Sequence, residues 1–440
     1  MTVIKEDDTG AMPNRNTYDA LLCGPKILYF FTFLQQYSFY SFRSVFFKAY
    51  FKYEPYQTGL IYSLTALSSF IGMTAWSNAA DTTKRPKMIY MLVITGSLFT
   101  FMPLYFKDFI ANSFPEPFYV VLVVLCVYSF FNYGMNPILS NTVLEMLTDA
   151  RETDKSIYGR QVLFGSIAYI ISNFVQGWAN DTHGAASVFV IFPVSTELLL
   201  LAVFFAFPSD SHRRLRDSEP SEKNTENTAI TTTIPTPSTP MKPWWHVLRS
   251  ARFVLFLTVI FLTGCARSVM SAFLPLFYKD NLDLTSQHSS WLMISGVTLE
   301  MLSFAMAPAV SKVGPYWMLV LAQVVMAVRA WAYVKVPVQP SSFPIYMVIE
   351  LLKGAAFGLT HLAGVRIARE TAPEGLEATA QGFYEGFYSQ IPSILSVPLG
   401  GAAIQKLGFA SLFLYSAWGI TFSCCLVIAV FIQNGKLRIR

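Results

Sequence analysis

Apolar runs near the length of a bilayer recur along this chain, and backbone buried in lipid can satisfy its own polar groups only as a helix or within a closed barrel. Twelve such runs can be marked, at 27–50, 57–79, 88–106, 118–146, 160–180 and 187–207, then at 246–278, 287–310, 316–336, 343–366, 379–403 and 409–432. About 20 apolar residues span the hydrocarbon core as a helix, whereas a barrel strand needs only about 10. The lengths therefore predict an all-α membrane protein with twelve transmembrane helices. Composition agrees, since 53% of residues are hydrophobic and 13% are charged, against roughly 25% charged in an ordinary soluble domain.

The longest polar interval, 208–245, is rich in Ser, Thr and Pro and reads as a flexible linker. It divides the chain into an N-terminal six-helix half, 27–207, and a C-terminal six-helix half, 246–432, with polar tails at 1–26 and 433–440. Lys and Arg set the expected orientation. With both termini in the cytoplasm, the inner loops gather Lys84, Arg85, Lys87, Arg151, Lys155, Arg160 and the basic residues of the linker, while the outer loops hold scattered lysines such as Lys48, Lys107 and Lys279. Residues 1–26 lack the pattern of a cleaved signal peptide, so 27–50 is expected to be a true span, in the plasma membrane or an organelle membrane. The cysteines Cys23, Cys126, Cys265, Cys424 and Cys425 show no metal or disulfide spacing. No cofactor or metal is expected, and basic clusters this scattered do not form a nucleic-acid surface.

The two halves repeat one another. DARETDKSIYGRQVLFG (149–165) is answered by IARETAPEGLEATAQGF (367–383), GWANDTHGAASVFV (177–190) by GAAIQKLGFASLFL (401–414), and FKAYFK (47–52) by LPLFYK (274–279). Three matches in the same order indicate an internal duplication. Paired six-helix halves related by an axis along the membrane normal place a solute site between them near the midplane.

Several stretches resemble the major facilitator superfamily (MFS), in the branch that includes lactose permease, the nucleoside:proton symporters and their eukaryotic relatives. They are QTGLIYSLTALSSFIGMTAWSNAADTTKRPK across spans two and three, YGRQVLFGS opening span five, EMLSFAMAP with SKVGP in span eight and its loop, and AVRAWAY in span nine. The resemblance implies a monomeric transporter of pseudo-symmetric fold. It also implies a cytoplasmic gating motif at Asp81, Lys84 and Arg85, although Ser77 stands where the family usually has Gly. Arg329 in AVRAWAY matches a family coupling arginine, and Glu300 lies about one turn beyond the family's span-eight acid. Glu350 and Lys353 fall on the Lys and His of the permease's span-ten triad, with an apolar residue at the acid. Val162 replaces a sugar-holding Arg, and span seven carries Arg267 where the permease has acids, so the resemblance does not extend to galactosides.

The charges inside the apolar runs carry the functional reading. Ionised side chains at the bilayer centre cost about 2.5–3.5 kcal/mol on insertion scales and normally face protein or a water-filled cavity. Arg43, Arg267, Arg329 and Lys353 are the basic set; Glu197, Glu300, Glu350 and Glu385, with Glu145 near a helix end, are the acidic set. On span ten, Glu350, Lys353, Phe357 and His361 share one helical stripe. We expect Glu300, Arg329, Glu350 and Lys353 to form a coupling network and Arg43, Arg267, Gln381 and Glu385 to touch the solute. The expected activity is secondary transport of a small polar organic solute, such as a sugar or nucleoside, by proton symport. Two alternatives stay open: an organic anion exchanger clamped by Arg43 and Arg267, and a membrane receptor or scaffold whose charges are only structural. No metalloprotease, nucleophile-elbow or phosphate-loop motif points to an enzyme.

Overall fold

The computed structural model describes residues 15–149, 155–208, 251–372 and 377–433, and among them every regular element is a helix. The expected linker, most of both tails and the first of the two ARET segments lie outside the described residues. In the N-terminal half, α1 (Arg15–Tyr40) and α2 (Arg43–Phe51) make span one and α3 (Pro55–Thr83) span two. Span three is α4 (Pro86–Phe101), and α5 (Lys107–Ser113) is a short helix in the following loop. Span four is α6 (Pro117–Asn132) with α7 (Met135–Asp149), span five α8 (Lys155–His183) and span six α9 (Val188–Ala206). In the C-terminal half, α10 (Ala251–Asp280) is span seven, and α11 (Ser286–Ala305) with α12 (Ala307–Val310) is span eight. Spans nine and ten are α13 (Pro315–Lys335) and α14 (Phe343–Thr371). Span eleven is α15 (Glu377–Glu385), a π turn (Gly386–Gln390) and α16 (Ile391–Leu407), and span twelve is α17 (Phe409–Gln433).

Nine of the described helical segments are long and apolar enough to cross a membrane on length and composition. The other three predicted spans, one, eight and eleven, are helical too, but each is interrupted and carries polar residues. Span one breaks at Ser41–Phe42, where Phe42 sits at φ −106° and ψ 12°. Its helix also starts at Arg15, well before the apolar run at 27, and Gly24 lies against the end of the Met146 side chain. Proline at the first helical position and a capping box between Glu54 and Gln57 fix the start of α3.

Packing repeats between the halves. Helix α1 lies on α8 and α9 as α10 lies on α16 and α17; α6 lies on α3 and α4 as α14 lies on α11 and α13. The main cross-half contacts are α3 with α16 and α8 with α11, a pair of interfaces that exchange with one another when the halves are swapped.

Among the described residues, polar contacts across these interfaces gather toward one end. Lys48 Nζ reaches Asp280 Oδ2 at 2.6 Å, and the Asp181 carboxylate accepts from the backbone N–H of Ser286 (2.7 Å) and Gln287 (2.8 Å) at the start of α11. A little deeper, Ser290 Oγ donates to Asn173 O and Ser63 Oγ to Ile394 O, each at 2.7 Å. A Cβ on Gly59 would stand 2.8 Å from Pro398 Cα, so glycine is what lets α3 and α16 touch there. The carboxylate of Asp181 also suits the positive end of the helix dipole.

Losing a helix cap is worth about 1 kcal/mol, so Asp181→Ala should shift the open–closed balance of this end about fivefold toward opening. The check is the alkylation rate of a cysteine placed at Ser271, with an impermeant maleimide added from the Lys48 side, in a chain whose five native cysteines are replaced. An unchanged rate would show that Asp181 does not hold the seal.

Candidate functional site

Between the halves lies a cavity of about 280 Å³. Helix α10 presents Thr263, Arg267, Ser271 and Tyr278 to it, residues spaced by helical turns, and α14 presents Glu350, Lys353, Phe357 and Thr360. Spans one, two and five add Tyr37, Tyr40, Ser41, Arg43, Tyr62, Ser166 and Tyr169, and α11 adds Glu300. The surface thus mixes phenols, hydroxyls and charges with apolar groups such as Leu274, Met293, Val297 and Met326.

The break in span one sets Arg43 at the head of α2, where its guanidinium lies 3.6 Å from the ring centroid of Tyr62 and 4.2 Å from that of Tyr40. Aromatic faces attract such a cation but do not neutralise it. Arg267 is held from span eleven. Pro392 has no N–H to give to the carbonyl of Tyr388 four residues earlier, and the chain passes this point in a π turn. Arg267 Nη2 fills the place, donating to Tyr388 O at 3.3 Å and to Ser389 Oγ at 3.4 Å, with its Cζ 4.7 Å from the Tyr388 ring. Gly264 makes room for that carbonyl, since a Cβ there would stand 2.6 Å from it. Among the described residues neither arginine has an acidic partner within ion-pair distance, and both Nε atoms are buried without a hydrogen-bond partner.

Arg329 and Glu350 behave differently. Each is 2% exposed, and Arg329 Nη2 meets Glu350 Oε1 at 2.6 Å. Tyr333 donates to the same oxygen at 2.6 Å, and Tyr278 meets Tyr333 at 2.8 Å. The charge pair and two phenols therefore tie α13, α14 and α10 together at the cavity wall. Glu300 is half-buried on the wall itself, without an ion-pair partner among the described residues, and Lys353 and Arg267 line the same cavity. Lys353 is likewise half-buried and unpaired in that set.

The remaining expectations fall elsewhere. Glu385 is exposed and Gln381 half-buried on α15; they bond to each other at 3.4 Å and do not line the cavity, so the expected solute contact is not seen for this pair. The π turn rotates the face of span eleven, which a reading at regular helical pitch does not anticipate. Asp81, Lys84 and Arg85 are exposed where α3 ends and α4 begins, with Lys84 at φ 53°. Glu197 is exposed on α9, and Glu145 is half-buried on α7. His361 packs among rings, stacked on Phe357 at 6.0 Å and edge-on to Phe304, and does not line the cavity. Sequence reasoning missed Tyr62, Tyr169 and Tyr278; the turn-by-turn spacing of Thr263, Arg267, Ser271 and Tyr278 was the signal for the last. Among the described residues no group of three or more His, Cys, Asp or Glu gathers to hold a metal.

Residues 23–415 match the model of the MFS_1 like family. The chain belongs to that family. This MFS protein is 22% identical over 376 residues to the maltose permease of Geobacillus stearothermophilus, across 85% of this chain and 84% of the permease. Its fold is similar to the crystal structure of the nucleoside transporter NupG, with a TM-score of 0.75 and 16% identity over 93% of this chain and 99% of that one. A bacterial homologue of the human lysosomal transporter Spinster, solved in an inward-facing and unoccupied conformation, aligns with a TM-score of 0.63 and 11% identity over 97% of this chain and 100% of that one. The protein is an integral membrane transporter of the MFS fold.

Breaking a buried ion pair from one side costs about 3–5 kcal/mol, while replacing both partners with apolar groups is close to neutral. Glu350→Ala should therefore lower the apparent melting temperature sharply, and the double substitution Arg329→Met with Glu350→Leu should recover most of the loss. A Glu350→Ala protein as stable as the parent would show that the pair is no structural tie.

Proposed function

We propose that the chain carries a small polar organic solute, of sugar or nucleoside size, by alternating access, with a proton as the coupling ion. The observation that supports this most is the cavity itself. It lies between pseudo-symmetric halves, it is sealed at one end by contacts between those halves, and its walls carry phenols, hydroxyls and ionisable groups among apolar side chains. Its volume of about 280 Å³ is near the lower end of the roughly 300–1,000 Å³ usual for ligand pockets, which suits a single ring with substituents. The names of the maltose permease and the nucleoside transporter support the same solute classes.

The excess of Lys and Arg around the Asp81 end supports a cytoplasmic position for that end and for both termini. In that orientation the sealed end faces outward, and the cavity is reached from inside. Asp81, Lys84 and Arg85 then serve the opposite state, in which the inner ends of the halves approach and the outer seal opens.

Glu300 is the residue we assign to the proton. It is a carboxylate on the cavity wall, and its surroundings change as access alternates. Desolvation favours its protonated form and a nearby cation the ionised one, so movement of the halves changes its hold on a proton. Lys353 and Arg267 are the cations that share its cavity. Glu350, held by Arg329 and Tyr333, positions that wall.

In proteoliposomes, Glu300→Gln should abolish accumulation driven by an inward proton gradient while leaving solute exchange at equal pH within about threefold of the parent. Gradient-driven accumulation by Glu300→Gln equal to that of the parent would remove Glu300 from the coupling step.

A further inference from the structure

Helix α10 has two faces in use. One lines the central cavity, and the other is the floor of a groove of about 250 Å³ that opens sideways from the bundle. Helices α16 and α17 both pack on α10 and touch each other less, so they form the walls of the groove. Each of the three helices contributes four residues at i, i+3, i+4 and i+7, beginning at Leu262, Ser396 and Leu412. Such stripes follow a helix, so the groove is a slot about 10 Å long running in the direction of the spans. Leu399 and Tyr415, 71% and 59% exposed, stand on its rim where the bundle meets lipid.

Gly400 is needed for packing, since a Cβ there would stand 2.5 Å from Val269 Cγ1. Gly419 is not, because a Cβ at that position would meet nothing within 4 Å. A glycine inside a helix costs stability relative to alanine, and at 419 what it returns is space in the slot. Ser416 is 8% exposed and lines the same space. Ser411, Thr421 and Ser423 of α17 all donate to carbonyls, whereas Ser416 makes no hydrogen bond among the described residues. A hydroxyl shielded from water without a partner is unfavourable, so Ser416 calls for an acceptor on whatever fills the slot. None of the twelve lining residues is charged. Lys406, however, follows Ala403 by about one turn on the same stripe of α16, exposed at the helix end and without an ion-pair partner among the described residues.

We infer that the slot binds one phospholipid of the leaflet at the sealed end, with an acyl chain between α16 and α17, an ester carbonyl accepting from Ser416 and the phosphate at Lys406. The depth fits this occupant. The turn at Gly408 that joins α16 to α17 lies at the sealed end, where Gly401 packs on Pro55 at the start of α3. On α16 and α17 the stripes reach from about 5 Å to about 16 Å below that turn, within one leaflet of a hydrocarbon core about 30 Å thick. A lysine at a helix end snorkels to the interface, where lipid phosphates lie, and ammonium–phosphate bonds are charge-assisted. A sterol offers a hydroxyl to Ser416 and nothing to Lys406, and a helix of a second copy, about 10 Å across, does not enter a slot of this volume. The bound chain also backs the helix that holds the seal. Ile394, Pro398 and Gly401 of α16 meet α3, and they lie two residues out of register with the slot-facing stripe, about 200° round the helix.

A phosphatidylglycerol with a diazirine in one acyl chain tests this on the purified, delipidated full-length protein in detergent, with the labelled peptides mapped by mass after photolysis. Labelling should saturate and concentrate in 262–269, 396–403 and 412–419. Gly419→Leu fills the slot from within, displaces at least two methylenes of chain, and should raise the half-saturating concentration about tenfold. Lys406→Gln should raise it about fivefold, the effect of one lysine on an anionic lipid, and Ser416→Ala about threefold through the lost hydrogen bond. These variants remove no hydrogen bond or ion pair found among the described residues, and an unchanged melting temperature without lipid shows that each is folded. Labelling that does not saturate and spreads evenly over the bundle, or labelling of the three segments that is unchanged in Gly419→Leu or in Lys406→Gln, would overturn the inference. Displacement of the label by cholesterol and not by unlabelled phosphatidylglycerol would give the slot to a sterol. Labelling that falls as the protein dimerises would give it to a second copy, and either result likewise rejects the phospholipid.

Discussion

A charge inside a bilayer must be compensated by protein or by water, and the arrangement of this molecule follows from how each buried ionisable group meets that requirement. Arg329 and Glu350 meet it with each other, at 2.6 Å and almost wholly buried. Arg43 and Arg267 meet it through aromatic faces and a freed carbonyl, and Glu300 and Lys353 through the cavity they line. The first kind of solution is static, since separating the pair leaves two uncompensated charges. The second kind is open to a ligand, because the groups keep unused bonding capacity. The division between structural and available charge is therefore a division by partner, and both kinds occur within one turn of α14, at Glu350 and Lys353.

Irregular backbone serves the same end. Span one is interrupted beside Arg43, and span eleven passes through a π turn beside Arg267. Non-helical backbone is tolerated at membrane depth only where it is buried in protein or lines a cavity, and both interruptions lie at the cavity. In span eleven the cause is local. Pro392 withholds one N–H, the carbonyl of Tyr388 is released, and the guanidinium of Arg267 takes the vacancy from the neighbouring helix. A proline thus positions an arginine more than a hundred residues away in sequence.

Much of the helical fold was legible because it depends on a one-dimensional signal, apolar runs of bilayer length. The identity of the charged residues was equally plain. Their pairing was not. Glu300 and Glu350 are equivalent as letters, and what distinguishes them is that α13 crosses α14 at the level of Glu350 and brings Arg329 and Tyr333 with it. Gln381 and Glu385 were expected to touch the solute on a regular helix, but a π turn follows them in span eleven and they do not line the cavity. Span one read as one continuous segment because no proline or glycine marks Ser41–Phe42; the break is a tertiary effect, in which Arg43 docks on Tyr62 of span two.

The distribution of small residues along α3 bears on why the two ends of the cavity need different closures. Gly59, near one end, faces across to α16, where its missing side chain lets the halves touch backbone to backbone. Gly72, three to four turns further along, packs instead against Phe130 of its own half. Close packing without side chains is available between the halves at the first end, and the described glycine of α3 toward the second end is already used inside a half. A state closed at the second end therefore has to be held by groups that reach further than a Cα. Charged side chains at a helix terminus have that reach, and Asp81, Lys84 and Arg85 are exposed at the end of α3 where such a latch would form. On this argument the seal that is present joins backbone packing at Gly59 to the Lys48–Asp280 ion pair, whereas a latch at Asp81, Lys84 and Arg85 would rest on charge alone and would be the more weakened by screening.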